Sequence, residues 1–130
     1  SLESDIHFLK EKVKLGAEYI VTQMFFDNKK FFEFQDICKK EGINVPIIPG
    51  LKPISTRKQL NILPHRFHCD LPVTLIKEII KCKDNSQVKQ VGIEWCIQQS
   101  KELRKAGVPF LHYYSMGKAL NIKKIASEIF

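Results

Sequence analysis

The chain has 130 residues, of which 44% are hydrophobic, and a formal charge of +7 at neutral pH. That length suits one ordinary domain, and no run approaches the roughly 20 apolar residues that a bilayer-spanning helix needs. The basic excess favours anionic partners, but lysines alternate with acids, as in Lys10-Glu11-Lys12 and Lys39-Lys40-Glu41, which is the pattern of solvated helix faces and not of a nucleic-acid-binding block.

Ile6, Leu9 and Val13 recur at helical spacing, with Ser4 as the expected N-cap and Gly16 as the stop. Tyr19 to Phe26 is rich in β-branched and aromatic residues without strict alternation, which predicts a strand buried on both faces of a parallel sheet. Phe31, Phe34, Ile37 and Cys38 then mark a helix ending at Gly42, and Val45 to Ile48 a second short strand. Pro49 to Pro53 is expected to be a rigid loop at that strand's carboxyl end. Ser55 or Thr56 caps a short helix carrying Gln59, Leu60 and Leu63, and Pro64 to Pro72 reads as irregular. Leu75, Ile76, Ile79 and Ile80 form the apolar stripe of the next helix, and Lys83-Asp84-Asn85-Ser86 reads as a turn and cap. Val88, Val91, Trp95 and Leu103 mark a long helix running towards Gly107. Phe110 to Tyr114 is the third strand, and Ile122, Ile125, Ala126 and Ile129 are the buried face of the last helix.

Strand and helix alternate, so the fold class is α/β with parallel strands whose carboxyl ends share one edge. Three strands fit either a small three-layer domain or the end of a larger barrel. The start, Ser1-Leu-Glu-Ser-Asp5, lacks the basic and apolar regions of a signal peptide, so a soluble, cytoplasmic chain is expected. Cys38, Cys69, Cys82 and Cys96 are too scattered for a zinc framework and read as reduced structural thiols. His65, His68 and Cys69 lie close in sequence, but without helical spacing no metal site is assigned to them.

Ligands in parallel α/β proteins bind at strand carboxyl ends, which directs attention to Gln23. Within an apolar strand its amide needs partners, either a bound heterocycle edge or a neighbouring loop backbone. Gln59, on the helix after the Pro-Gly loop, faces the same mouth or plain solvent. Lys118, just past the third strand, either holds an anionic group or is solvated. His112 and Tyr113-Tyr114 alternate faces, with His112 read first as a hydrogen-bonded core residue. No Gly-x-Gly-x-x-Gly loop, P-loop or nucleophile elbow is present, and Asp27, Asp84 and Glu94 form no acid–base pair.

Taken in order, Asp5-x-x-x-Leu-Lys-x-Lys-Val13, Gly16-Ala17, Ile20-Val-Thr-Gln-Met-Phe-Phe-Asp27, Val45-Pro-Ile-Ile-Pro-Gly50, Gly92-Ile-Glu94 and Gly107-Val-Pro with Leu111-His-Tyr-Tyr114 resemble the methylenetetrahydrofolate reductase family across nearly the whole chain. The resemblance implies a partial (β/α)₈ TIM barrel. Residues 1–130 would be the C-terminal portion of one FAD-binding catalytic barrel, with its last three β/α units and strands near 19–26, 45–48 and 110–114. It implies reduction of 5,10-methylenetetrahydrofolate to 5-methyltetrahydrofolate, with FAD relaying hydride from NAD(P)H, in a cytoplasmic enzyme of one-carbon metabolism and methionine biosynthesis that is a homo-oligomer when intact.

The family's catalytic acids lie in the earlier half of the barrel, so no catalytic residue and no activity is expected of this segment alone. By the same resemblance Gln23 contacts pterin and, alternately, nicotinamide. Gln59 and Leu63 are folate contacts, and Lys118 falls where a basic residue meets substrate. Lys12, Asp5, Glu11 and Phe8 take the cofactor-facing positions of the first helix. Lys52, Arg57 and Lys58 are candidates, on charge alone, to attract a folate glutamyl tail. The alternative is a stand-alone basic α/β module that binds an anionic ligand or nucleic acid.

Overall fold

The computed structural model describes residues 2–114 and 125–127. Helix α1 (Leu2–Lys14) leads to strand β1 (Ile20–Val21), helix α2 (Asn28–Lys40), and strands β2 (Ile47–Ile48) and β3 (Gly50–Leu51). Helices α3 (Gln59–Phe67), α4 (Val73–Ile80) and α5 (Asn85–Lys105) follow, and then strand β4 (His112–Tyr113). This is the α/β order expected, and β1 pairs with β2, and β3 with β4, in parallel. Among the described residues the strands make two short sheets and no closed barrel.

β2 and β3 belong to one extended run that changes partner at Pro49. Backbone groups alternate in direction along such a run. Pro46 and Ile48 accept through their carbonyls from the N–H groups of Ile20 (3.0 Å) and Thr22 (2.9 Å), while Pro49 and Leu51 accept from His112 (3.0 Å) and Tyr114 (2.7 Å). Pro49 therefore serves β4 with its carbonyl but has no N–H to give it. The loop expected from Pro49 to Pro53 is corrected at its start, because Gly50–Leu51 is paired strand.

The three strands are also shorter than the apolar runs that announced them. The Thr22 carbonyl is taken by the Tyr114 hydroxyl (2.9 Å), and its Oγ1 accepts from the Gly50 N–H (2.9 Å). Both groups that would have extended the ladder are thereby diverted. The phenol reaches Thr22 by crossing over Gly50, where a Cβ would meet the Thr22 carbonyl oxygen at 2.5 Å and the Tyr114 ring at 2.6 Å.

The helices keep their expected stops, with Gly16 and Gly42 at φ of 106° and 79° after α1 and α2. Ser4 is not the cap of α1 but lies inside it: the helix begins earlier, and Glu3 and Asp5 fall in its first turn, where the helix dipole favours acids. Asp27 caps α2 by accepting from the Lys29 N–H (3.0 Å), and Asp84 caps α5 by accepting from that of Gln87 (3.0 Å). The segment read as irregular from Pro64 is helical as far as Phe67 and stops at His68, whose φ is 51°. Pro64 removes one helical bond, but buried Leu63 and half-buried Phe67 on either side hold the turn to the core. In α4, Leu75 and Ile79 are buried as expected, whereas Ile80 is 61% exposed and shares an outer face with exposed Val73 seven residues earlier. Of the last expected helix, residues 125–127 are helical and Ile125 is buried. Ile122, Ile129 and Lys118 lie outside the described residues.

The core forms where α2 and α5 pack together over the strands, around Phe31, Leu51, Ile93, Cys96 and Leu103. A polar clamp joins the two helices. Asn28 donates to the Gln99 carbonyl (3.1 Å), and Gln99 Nε2 donates to Asn28 Oδ1 (3.1 Å) and to the Phe25 carbonyl (3.3 Å). Among the described residues Gln99 Oε1 has no partner, a cost that the clamp's other bonds offset.

All four cysteines are free and buried. Burial pushes the Cys96 thiol up from its ordinary 9.0 to about 12, against smaller opposing effects of the Ser100 hydroxyl and the Lys52 charge. The folded state therefore holds this proton where the unfolded state releases it. The stability contributed is complete below pH about 9 and is lost as pH rises towards about 12. Urea midpoints measured from pH 8 to 10.5 should fall, and alkylation of Cys96 at pH 8 should require unfolding.

Candidate functional site

One face of α1 carries Asp5, Phe8, Leu9 and Lys12 at spacings of three and four residues, so all four line the same groove. Residues 20–23 form its floor, and Phe25 with Lys30, Phe31 and Phe34 of α2 forms the opposite wall around a cavity of about 410 Å³. The groove thus gathers Asp5, Phe8, Lys12 and Gln23 from the expected site residues. Phe8 is 59% exposed, and the Lys12 ammonium lies 4.8 Å from its ring centroid in a cation–π contact. Glu11 is turned away, its carboxylate pairing with Lys14 at 3.4 Å on the exposed side of α1.

Gln23 corrects one expectation. It lies beyond the carboxyl end of β1 and is exposed, so its amide carries no burial cost. Its Oε1 accepts from the following Met24 N–H (3.2 Å), and its amide nitrogen has no partner among the described residues. Gln23 also lines a second cavity of about 280 Å³, shared with Phe67 at the end of α3 and with His68 and Asp70 beyond it. The residue stands in the wall between two cavities. Phe25, stacked on Phe31 with centroids 5.5 Å apart, belongs to that wall, whereas Phe26 is core.

Gln59 and Leu63 are not brought to the groove. Gln59 Oε1 accepts from the N–H groups of Ser55 (2.7 Å) and Thr56 (3.3 Å), fixing the loop after β3. Leu63 is 1% exposed and packs with Met24, Phe26 and Ile54, so it anchors α3 to the core. Of the cations considered for a glutamyl tail, Lys52 is buried, and Arg57 donates to the Cys82 and Ile80 carbonyls at the end of α4. Lys58 is exposed.

His112 is exposed, not a core residue, because strand alternation puts it beside Tyr114 (edge-on, centroids 4.6 Å apart) and turns Tyr113 inward to Ser100 (2.9 Å). Cys69 donates from Sγ to the Leu63 carbonyl at 3.4 Å. Among the described residues no group of three or more His, Cys, Asp or Glu side chains is placed to hold a metal, and no helix is long and apolar enough to cross a membrane.

Sequence reasoning missed Lys30, which lines both cavities. Its signal was electrostatic. The first turn of α2 contains no acid but carries Lys29 and Lys30, cations at the positive end of the helix dipole.

A family model described as methylenetetrahydrofolate reductase matches residues 1–129. An Arabidopsis thaliana protein named methylenetetrahydrofolate reductase (NADH) 1 is 37% identical over 130 residues, covering 99% of this chain and 21% of that protein. A Caenorhabditis elegans protein named probable methylenetetrahydrofolate reductase (NADPH) is 30% identical, over 99% of this chain and 20% of its own length. The Escherichia coli 5,10-methylenetetrahydrofolate reductase is 32% identical over 92% of this chain and 40% of that protein. The chain thus spans between 20% and 40% of the length of these relatives.

Proposed function

The chain belongs to the methylenetetrahydrofolate reductase family, and on that premise we propose that residues 1–130 are the C-terminal portion of a single FAD-binding (β/α)₈ catalytic barrel. Supporting this are parallel strands joined through helices and laid side by side in chain order. A closed barrel places its strands in that order, and an arc cut from one leaves an outer edge such as that of β1, which among the described residues pairs with β2 alone.

The activity proposed for the full-length enzyme is reduction of 5,10-methylenetetrahydrofolate to 5-methyltetrahydrofolate by NADH or NADPH, in a cytoplasmic homo-oligomer. FAD, when bound, supplies the hydride relay between the two substrates. The groove fits part of that cofactor in chemistry and in size. It offers an ammonium from Lys12 for a phosphate, exposed Phe8 for a ring, and a cavity of about 410 Å³ too small for the whole group. Lys12 and Asp5 would hold the cofactor, with Phe8 beside them, while Glu11, turned to Lys14, stays outside the groove.

Gln23 then binds and orients. Its carboxamide presents an N–H pair and an acceptor to the edge of a pterin or to a nicotinamide amide, and its place between two cavities lets one residue serve either ligand. Gln59 contributes its remaining amide group from the loop it stabilises, with Leu63 anchoring its helix. Lys118 is proposed to hold an anionic part of the substrate. The single observation carrying this reading is the gathering of Asp5, Phe8, Lys12 and Gln23 around one groove.

In the full-length enzyme, Gln23→Ala should lower kcat/KM for the folate by roughly 10- to 100-fold, the worth of one or two lost ligand hydrogen bonds. The exposed position should leave the denaturant midpoint nearly unchanged. Kinetics equal to the parent's would refute the assignment.

A further inference from the structure

Lys30 sits in the first turn of α2, an electrostatically unfavourable place for a cation, and lines both cavities that meet at Gln23. Among the described residues its ammonium has one loose contact, 3.8 Å from Oδ2 of Asp70, which also lines the second cavity. The side chains are 61% and 89% exposed, so water screens the pair and it contributes little to the fold. Lys12 stands on the opposite wall of the groove with its charge over the Phe8 ring. Asp5 is the only acid lining the groove among the described residues, against two lysines. Among the described residues the second cavity is lined by Asp27 and Asp70 against Lys30, so it is the groove side of Gln23 whose charge favours an anion, and Lys30 is the cation that lines both.

We infer that Lys30 is a further substrate-binding residue, which exchanges its contact with Asp70 for an anionic group, carboxylate or phosphate, of the ligand lying against Gln23. The inference rests on the proposed role of Gln23. A long, flexible ammonium suits this use, because it makes a point contact that can be remade across a few ångströms. Asp70 acts as the competitor: while paired, it draws Lys30 towards the second cavity and lowers the fraction of enzyme ready to bind.

The two partners should therefore respond in opposite directions in the full-length enzyme. Lys30→Gln should raise the KM of the anionic substrate by roughly 3- to 30-fold, the range for a charged hydrogen bond discounted for exposure, with the loss carried in KM and not in kcat. Asp70→Asn should lower the same KM, by about two- to threefold, and Lys30→Arg should restore most of the binding. An effect that grows with the number of γ-linked glutamates on the folate identifies a carboxylate. One confined to the dinucleotide bearing a ribose phosphate identifies that phosphate. If Lys30→Gln and Asp70→Asn both weaken binding, the pair is structural and the inference fails. If Lys30→Gln is silent while Gln23→Ala is impaired, the inference fails alone; if both are silent, the Gln23 assignment fails first.

Discussion

Gly92→Ala should destabilise the protein by about 3 kcal/mol or more, read as a fall in the denaturant midpoint. A Cβ at this position would lie 1.8 Å from the Ile54 carbonyl oxygen and within 2.8 Å of the Ile54 carbonyl carbon and nitrogen. All three are backbone atoms, so no rotamer change relieves the clash, and α5 must move away from the segment that follows β3. That displacement would open the core on both sides of the contact, since Val88 packs with Ile54 and Ile93 and Cys96 pack against Leu51. Gly107→Ala is the control. Nothing lies within 4 Å of its added carbon, and its φ of 91° limits the cost to about 1 kcal/mol.

Gly50→Ala is the second large effect, and its origin differs. Here the new carbon meets one backbone atom, the Thr22 carbonyl oxygen at 2.5 Å, and one side chain, the Tyr114 ring at 2.6 Å. The ring can yield, but only by withdrawing its hydroxyl from Thr22. We expect a loss of about 2–3 kcal/mol. Adding Tyr114→Leu should recover part of it, because the ring clash disappears while the Thr22 contact persists. A double variant no more stable than Gly50→Ala alone would show that the Thr22 contact dominates. No second substitution of a side chain should rescue Gly92→Ala in this way.

These two glycines show what could be read from the residues and what could not. Helices were legible wherever apolar residues recurred at three and four and a glycine followed, as in α1 and α2. Strand positions were legible too, but their ends were not. The ladder beside β1 stops because Tyr114, 92 residues away in sequence, claims the Thr22 carbonyl, and no local pattern carries such a contact. For the same reason Gly50 read only as a strand breaker and Gly92 only as part of a motif. The irregular reading from Pro64 is wrong as far as Phe67, because the burial of Leu63 outweighs the helical bond that Pro64 removes.

The candidate site was legible to the extent that it lies on one element. The Asp5, Phe8 and Lys12 face follows from helical spacing and the family resemblance, and Gln23 from its place at a strand's end. Lys30 required knowing that two cavities meet. The burial of Lys52 and the capping role of Arg57 required the tertiary fold, because a charge count cannot tell a solvated cation from one already engaged.

The partner change at Pro49 also orders the assembly of the chain. Pairing β1 with β2 closes a loop that contains α2 alone, whereas pairing β3 with β4 must bring together residues separated by α3, α4 and α5. The difference in loop-closure entropy is under about 1 kcal/mol, so it bears on rate more than on stability. One extended run thereby takes part in two closures of different span: residues 47–48 pair across a loop holding one helix, and residues 50–51 across a loop holding three.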